Sequence, residues 1–211
     1  MKKFLGILLT AFLLFSVSAC NNTLKQNSSL PNAEKSDENS DLKTESSSDL
    51  KNNSKTLVVY FSATGNTKKT AGDIAAETGA DLFELIPINP YSSQDLDYTN
   101  EKSRVYTEHS DTSKQNIPLK SVTVKNWENY TTVYIGYPIW WGEAAWPVNS
   151  FVTSNNFNGK TVIPFCTSAS SDIGYSDKEL SKKANGGNWK SGKRFSSYAD
   201  SSEVKEWLEK Q

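Results

Sequence analysis

Apolar positions come in short bursts, most of them closed by small polar residues and followed by helical spacing. Leu57-Val58-Val59-Tyr60-Phe61 is continuously apolar, as a strand buried on both faces of a sheet must be. Asn66–Thr78 follows, with Ala71, Ile74 and Ala75 at helical spacing and Gly79 as a stop signal. "DLFELI" (81–86) predicts a second strand, mixed in character and therefore at an edge. Residues 131–138 predict a third strand and 160–166 a fourth, which carries an internal Pro164. Helical patterns follow at 147–154, 176–184 and 201–210, the last with Val204, Trp207 and Leu208 on one face. "NWKSGKRF" (188–195) gives a weak fifth strand broken by Gly192. Strand and helix in alternation predict an α/β domain, a parallel sheet with helices on both faces. Residues 87–130 are too long for a plain connection. Within them "SQDLDYTNEKSRVYTEHS" predicts a helix plus a surface excursion.

The first twenty residues follow another pattern. Lys2 and Lys3 precede an apolar core from Phe4 to Phe15, which has the length of a signal-peptide core rather than of a membrane span. The segment closes in Val17-Ser18-Ala19-Cys20, which resembles the lipobox of bacterial lipoproteins. That resemblance implies cleavage before Cys20 and a diacylglycerol on its thiol. Residues 21–54 are mostly Asn, Ser, Lys, Glu and Asp, with four Leu and no aromatic. Such a stretch cannot bury enough apolar area to offset its ordering entropy. It reads as a disordered tether with a root-mean-square span of about 30–35 Å.

Residues 55–211 carry all six Trp and all nine Tyr, a core-forming composition. Six of the 23 Lys and Arg and six of the 24 Asp and Glu precede Lys55, which leaves 17 against 18. So near a balance argues against a nucleic-acid partner. Of the two Cys, lipidation of Cys20 leaves Cys166 as a lone thiol. The single His109, among Thr, Glu, Ser and Asp, reads as a solvated loop or helix-end residue. No metal site and no Cys-His nucleophile is indicated.

In an open α/β sheet, ligands bind at the carboxyl ends of strands. The first strand ends in Ser62-Ala63-Thr64-Gly65-Asn66-Thr67: hydroxyls, an amide and helix N-terminal N–H groups, with no charge. That is chemistry for a phosphate, because oriented N–H dipoles hold an anion without a cation. Neither the G-x-x-x-x-G-K-[ST] loop of nucleoside triphosphatases nor G-x-G-x-x-G is present. A competing reading is that these side chains cap the helix. The third strand leads into "PIWW" and Gly142, where Trp140 and Trp141 offer flat faces for stacking. The fourth leads into Thr167, Ser168, Ser170 and Ser171, which offer hydroxyls to a polar edge.

"VVYFSATGNTKKTAGDI" resembles the phosphate loop of flavodoxins. "GYPIWWGEAAWPVNSF" and "PFCTSASSDIG" are similar to the flavin-ring loops of a flavodoxin-like subfamily of small bacterial proteins, and the closing "EVKEWL" is similar too. The resemblance implies a doubly wound five-stranded parallel sheet of order 2-1-3-4-5 that binds FMN. On its motifs the cofactor contacts are Ser62, Ala63, Thr64, Gly65, Asn66 and Thr67, then Pro138, Ile139, Trp140, Trp141 and Gly142, then Thr167, Ser168, Ser170, Ser171 and Gly174. One of the Trp pair is expected to stack on the flavin and the other to support it from the core, as Trp146 and Trp207 are expected to do elsewhere. Glu143 and Asp172 depart from the family pattern and put carboxylates beside the ring loops.

The function expected is electron transfer at the outer face of the cytoplasmic membrane, with lipid on Cys20 as anchor and a redox protein or a small acceptor such as a quinone as partner. Two rivals use the same fold. One is an NAD(P)H-dependent flavin or quinone reductase whose substrate pocket is shaped by residues 87–130. The other is a binding module without flavin.

Overall fold

The computed structural model describes residues 55–211. The expected signal segment, the expected lipid site at Cys20 and the expected tether, 21–54, lie outside the described residues.

β1 (Lys55–Tyr60) leads into α1 (Asn66–Thr78), which ends at Gly79 as its spacing predicts. β2 (Asp81–Glu84) follows, then an excursion with α2 (Arg104–Ser110) and two short 3-10 turns. β3 (Tyr130–Trp140), β4 (Glu143–Ala144) and α3 (Pro147–Ser154) come next. The chain closes with β5 (Thr161–Ser168), α4 (Ser176–Lys183), β6 (Asn188–Trp189), β7 (Lys193–Ser196) and α5 (Ser201–Leu208).

The parallel sheet runs β2-β1-β3-β5-β6, with β7 also on β5. This is the expected doubly wound arrangement with two corrections. First, β3 runs on to Trp140 because β4 folds back on it, pairing Ile139 with Ala144 and Trp140 with Glu143. Second, the fifth strand is split. β6 pairs with Thr161 and Val162, β7 with residues 165–168, and the gap lies opposite Ile163 and Pro164. Proline has no N–H to give a ladder. The chain bows out there, with the Lys190 N–H on the Val162 carbonyl (2.9 Å) and the Gly192 N–H on Asp177 Oδ2 (2.9 Å).

Alternation along each strand feeds two cores. Val58, Tyr134 and Phe165 meet Ala71 and Ile74 of α1 and Val204 and Trp207 of α5 on one face. Leu57, Val59, Val133 and Ile135 meet Phe151 and Val152 of α3 and Leu180 of α4 on the other. Trp146 and Trp207 are both core, as expected.

The excursion, residues 87–130, is pinned by a buried carboxylate. Glu108 accepts from Tyr91 Oη and from Arg104 Nε, each at 2.6 Å, and the Arg104 guanidinium lies 3.8 Å from the Tyr91 ring centroid. Burial and the Glu108 charge push the Tyr91 phenol far above its usual range. The anchor fixes the segment that reaches over the ends of β1 and β3.

Candidate functional site

A cleft of about 370 Å³ opens at the carboxyl ends of β1, β3 and β5. It lies between β1 and β3, where the chain leaves β1 toward β2 on one side and leaves β3 toward β5 on the other, the switch point at which such sheets bind ligands. Its volume falls in the roughly 300–1,000 Å³ range of small-molecule sites.

One end is the start of α1. Gly65 occupies the cap position with φ 94°, a left-handed conformation glycine takes without strain, and no side chain caps the helix. The Ser62 hydroxyl is turned back to accept the Gly65 N–H at 3.1 Å, and Asn66 Nδ2 reaches Thr64 Oγ1 at 3.5 Å. The capping reading of this turn is therefore set aside, and the first N–H groups of α1 stay available beside Thr64 and Asn66. Nearby cations are committed elsewhere: Lys68 pairs with Glu84, and Lys69 with Asp73 and the Ala199 carbonyl.

Pro138, Ile139 and Trp140 form one wall. Trp140 is 2% exposed and packs edge-on against Phe61, Tyr91 and Trp146. Facing the same space from the excursion are Leu96 and Tyr98. The third side is Thr167, Ser168, Ala169, Ser170 and Ser171, with Ser197 beside them. Every lining side chain is uncharged.

The remaining predicted contacts sit behind or outside this lining. Ser62 and Gly65 shape the turn. Thr67 is buried, its Oγ1 2.7 Å from Thr167 Oγ1, so it ties the first loop to the third. Gly174 lies further along the third loop, outside the cleft. Trp141 and Gly142 are the two central residues of the β3–β4 hairpin, with φ 48° and 81°. Two positive φ values are what a tight type I′ turn demands, and a Trp there is strained. The turn throws Trp141 outward, where it stacks on His109 (4.3 Å, 8°) and contacts Tyr98 (4.8 Å, 49°). The aromatic pair is thus divided: Trp140 walls the cleft from the core, and Trp141 backs the Tyr98 that walls it from outside. His109 is exposed at the end of α2, where the sequence put it. The carboxylates expected beside the ring loops are not in the lining. Glu143 Oε2 accepts from Trp146 Nε1 at 3.4 Å, and Asp172 accepts the N–H of Ile173.

Sequence reasoning missed Leu96, Tyr98, Ala169 and Ser197. Only the excess length of residues 87–130 pointed to the first two. Burial raises the Tyr98 phenol to about 12, so it stays a neutral hydroxyl. Cys166, fully buried under the third loop, is likewise raised to about 12 by burial. Among the described residues no cluster of His, Cys, Asp and Glu is placed to hold a metal ion, and no helix is long and apolar enough to cross a membrane.

A family model described as flavodoxin matches residues 55–211, and the chain belongs to that family. Among solved structures it is similar to a protein of Bacteroides uniformis assigned as a flavoprotein, at 42% identity, with 74% of this chain and 98% of that one covered and a TM-score of 0.69. A counterpart from Bacteroides eggerthii gives 41% identity, 74% and 96% coverage and a TM-score of 0.67. A Lactobacillus acidophilus flavoprotein, solved in complex with FMN, gives 26% identity, 74% and 99% coverage and a TM-score of 0.53. No curated protein matches the chain.

Proposed function

We propose that this protein binds FMN in the cleft and carries electrons, held by lipid on Cys20 at the outer face of the cytoplasmic membrane. The observation that carries the reading is the uncapped start of α1 opening onto an uncharged, aromatic-walled cleft. The Lactobacillus relative's complex with FMN supports it. Bound FMN supplies the redox chemistry. Thr64, Asn66 and the first N–H groups of α1 hold its phosphate. Leu96, Tyr98, Pro138, Ile139 and Trp140 exclude water from its ring. The hydroxyls and N–H groups of residues 167–171 meet its polar edge.

The purified protein should show a flavin absorption spectrum that dithionite bleaches, and the flavin-free form should bind FMN far more tightly than riboflavin, which lacks the phosphate. A colourless protein that takes up neither flavin overturns the reading. Equal affinity for the two flavins removes the phosphate role of the α1 turn. For the anchor, Cys20→Ser should leave the membrane fraction or stay uncleaved; processing and membrane retention like the parent's would defeat it.

A second reading, an NAD(P)H-dependent flavin or quinone reductase, is favoured by one feature. The excursion that places Leu96 and Tyr98 on the cleft is the kind of segment that shapes a substrate pocket. Steady-state oxidation of NAD(P)H with a quinone acceptor separates a reductase from a carrier.

A further inference from the structure

Arg194 on β7 lies behind the third loop of the cleft, and its hydrogen bonds end on that loop. Its Nε donates to Ser168 Oγ at 3.1 Å, and its Nη2 donates to the carbonyls of Ser168 (3.0 Å) and Ala169 (3.1 Å). Ser168 Oγ in turn donates to the Ser171 carbonyl. Among the described residues Arg194 belongs to no ion pair. A half-buried guanidinium ordinarily takes a carboxylate. Here all its hydrogen-bond acceptors are neutral, so no carboxylate cancels its charge in direct contact with the loop. Its field reaches the interior, where it opposes the rise of the Cys166 thiol that burial and, after it, the Asp172 and Asp177 charges produce.

The geometry also orients the loop. A trans peptide holds its N–H opposite its C=O. With the carbonyls of Ser168 and Ala169 turned to Arg194, the N–H groups of Ala169 and Ser170 turn away from it. Neither has a backbone acceptor among the described residues. Residues 168–171 line the cleft and Arg194 does not, so both donors open onto the cleft with a fixed positive charge behind them.

We propose that Arg194 is a positioning residue of the FMN site. It aims the N–H groups of Ala169 and Ser170 into the cleft and backs them with a positive field, which favours the reduced flavin over the oxidised. The proposal rests on the FMN reading above. Two electrons from the redox partner and one proton from solvent leave the flavin with one more negative charge. Donors already aimed at developing charge stabilise it without reorganisation. Arg194 itself gives up no proton, since a guanidinium stays charged.

The test measures the potential of the bound flavin, and its affinity in both redox states, in the parent, Arg194→Met and Arg194→Lys. Arg194→Met should weaken the reduced complex at least tenfold more than the oxidised one, about 30 mV for a two-electron couple. Arg194→Lys, which keeps the charge, should shift less. Equal shifts in the two variants, or none in either, overturn the proposal. Should Arg194→Met fail to fold, the parent decides. The amide resonances of Ala169 and Ser170 should move on adding FMN and again on reducing it, and unmoved resonances overturn the proposal. A parent that binds no FMN defeats the cofactor reading itself, which is distinct from a parent that binds it while these signals stay silent.

Discussion

At the scale of single residues, two Thr in one turn do different work. Thr64 lines the cleft, whereas Thr67 is buried on Thr167. Thr64→Ala removes a donor to a charged acceptor, worth about 1.5–3 kcal/mol, and should lower FMN affinity roughly tenfold to a hundredfold at an unchanged urea midpoint. Thr67→Val strands a buried hydroxyl and should cost about 1–3 kcal/mol of apoprotein stability. The aromatics divide the same way. Trp140→Ala opens the core and should cost about 3–5 kcal/mol. Tyr98→Ala should leave the apoprotein's stability nearly intact, weaken FMN binding and raise flavin fluorescence in part, because one of the two aromatic walls that quench the ring is lost while Trp140 remains. Stability unmoved by Trp140→Ala, or emission unmoved by Tyr98→Ala, would contradict this division. The sequence offered "WW" with no means of separating its members, because a turn has no period to count along. The answer lies in the two positive φ values of the hairpin, a property of backbone pairing that side-chain identity does not announce.

Among the elements, those with strong local punctuation were legible. α1 is bounded by Gly65 and Gly79, and its predicted and observed limits agree. β1 was readable as an unbroken apolar run, and β3 and β5 as apolar stretches behind a polar start, because their central residues are buried on both faces. The fifth strand was faint because its ladder breaks opposite Pro164, a neighbour distant in sequence. Leu96 and Tyr98 could not be assigned, since the excursion is held by the Glu108 anchor and by scattered core residues, Val105, Ile117 and Val124, rather than by a periodic face. That anchor makes a prediction. Glu108→Ala leaves the half-buried Arg104 without its partner, a loss between the roughly 1 kcal/mol of an exposed pair and the roughly 3–5 kcal/mol of a fully buried one. The cost should fall on the excursion, where amide exchange across residues 91–110 should accelerate while β1 and β3 stay protected. FMN affinity should drop with it, through the lost wall at Leu96 and Tyr98. Uniform acceleration throughout the sheet would mean that the excursion is integral to the core.

For the molecule as a whole, buried weak acids set the alkaline limit. Burial holds Cys166 at about 12, against about 8.5 for a free thiol. Tyr60, Tyr98 and Tyr130 are also raised to about 12, from the usual 10, first by burial and for Tyr60 and Tyr130 also by Glu84 and Asp81. Above the unfolded values the folded chain binds more protons than the unfolded one, so stability falls as pH rises. It should be flat up to about pH 8.5 and decline progressively toward pH 12 in a melting series. Cys166→Ala should move the onset to about pH 10. Thiol reagents at pH 8 should reach Cys166 only after denaturation.

The cleft draws its walls from Ala63 near one end of the domain to Ser197 near the other, across three strands that must already be paired. No single strand-and-helix unit of the chain contains it. On the proposed route to the outer face, a polypeptide threaded through the membrane unfolded would arrive with no place for a flavin. It would have to fold first and then find FMN outside the compartment where FMN is made, so the supply of flavin across the membrane would limit how much working protein a cell holds.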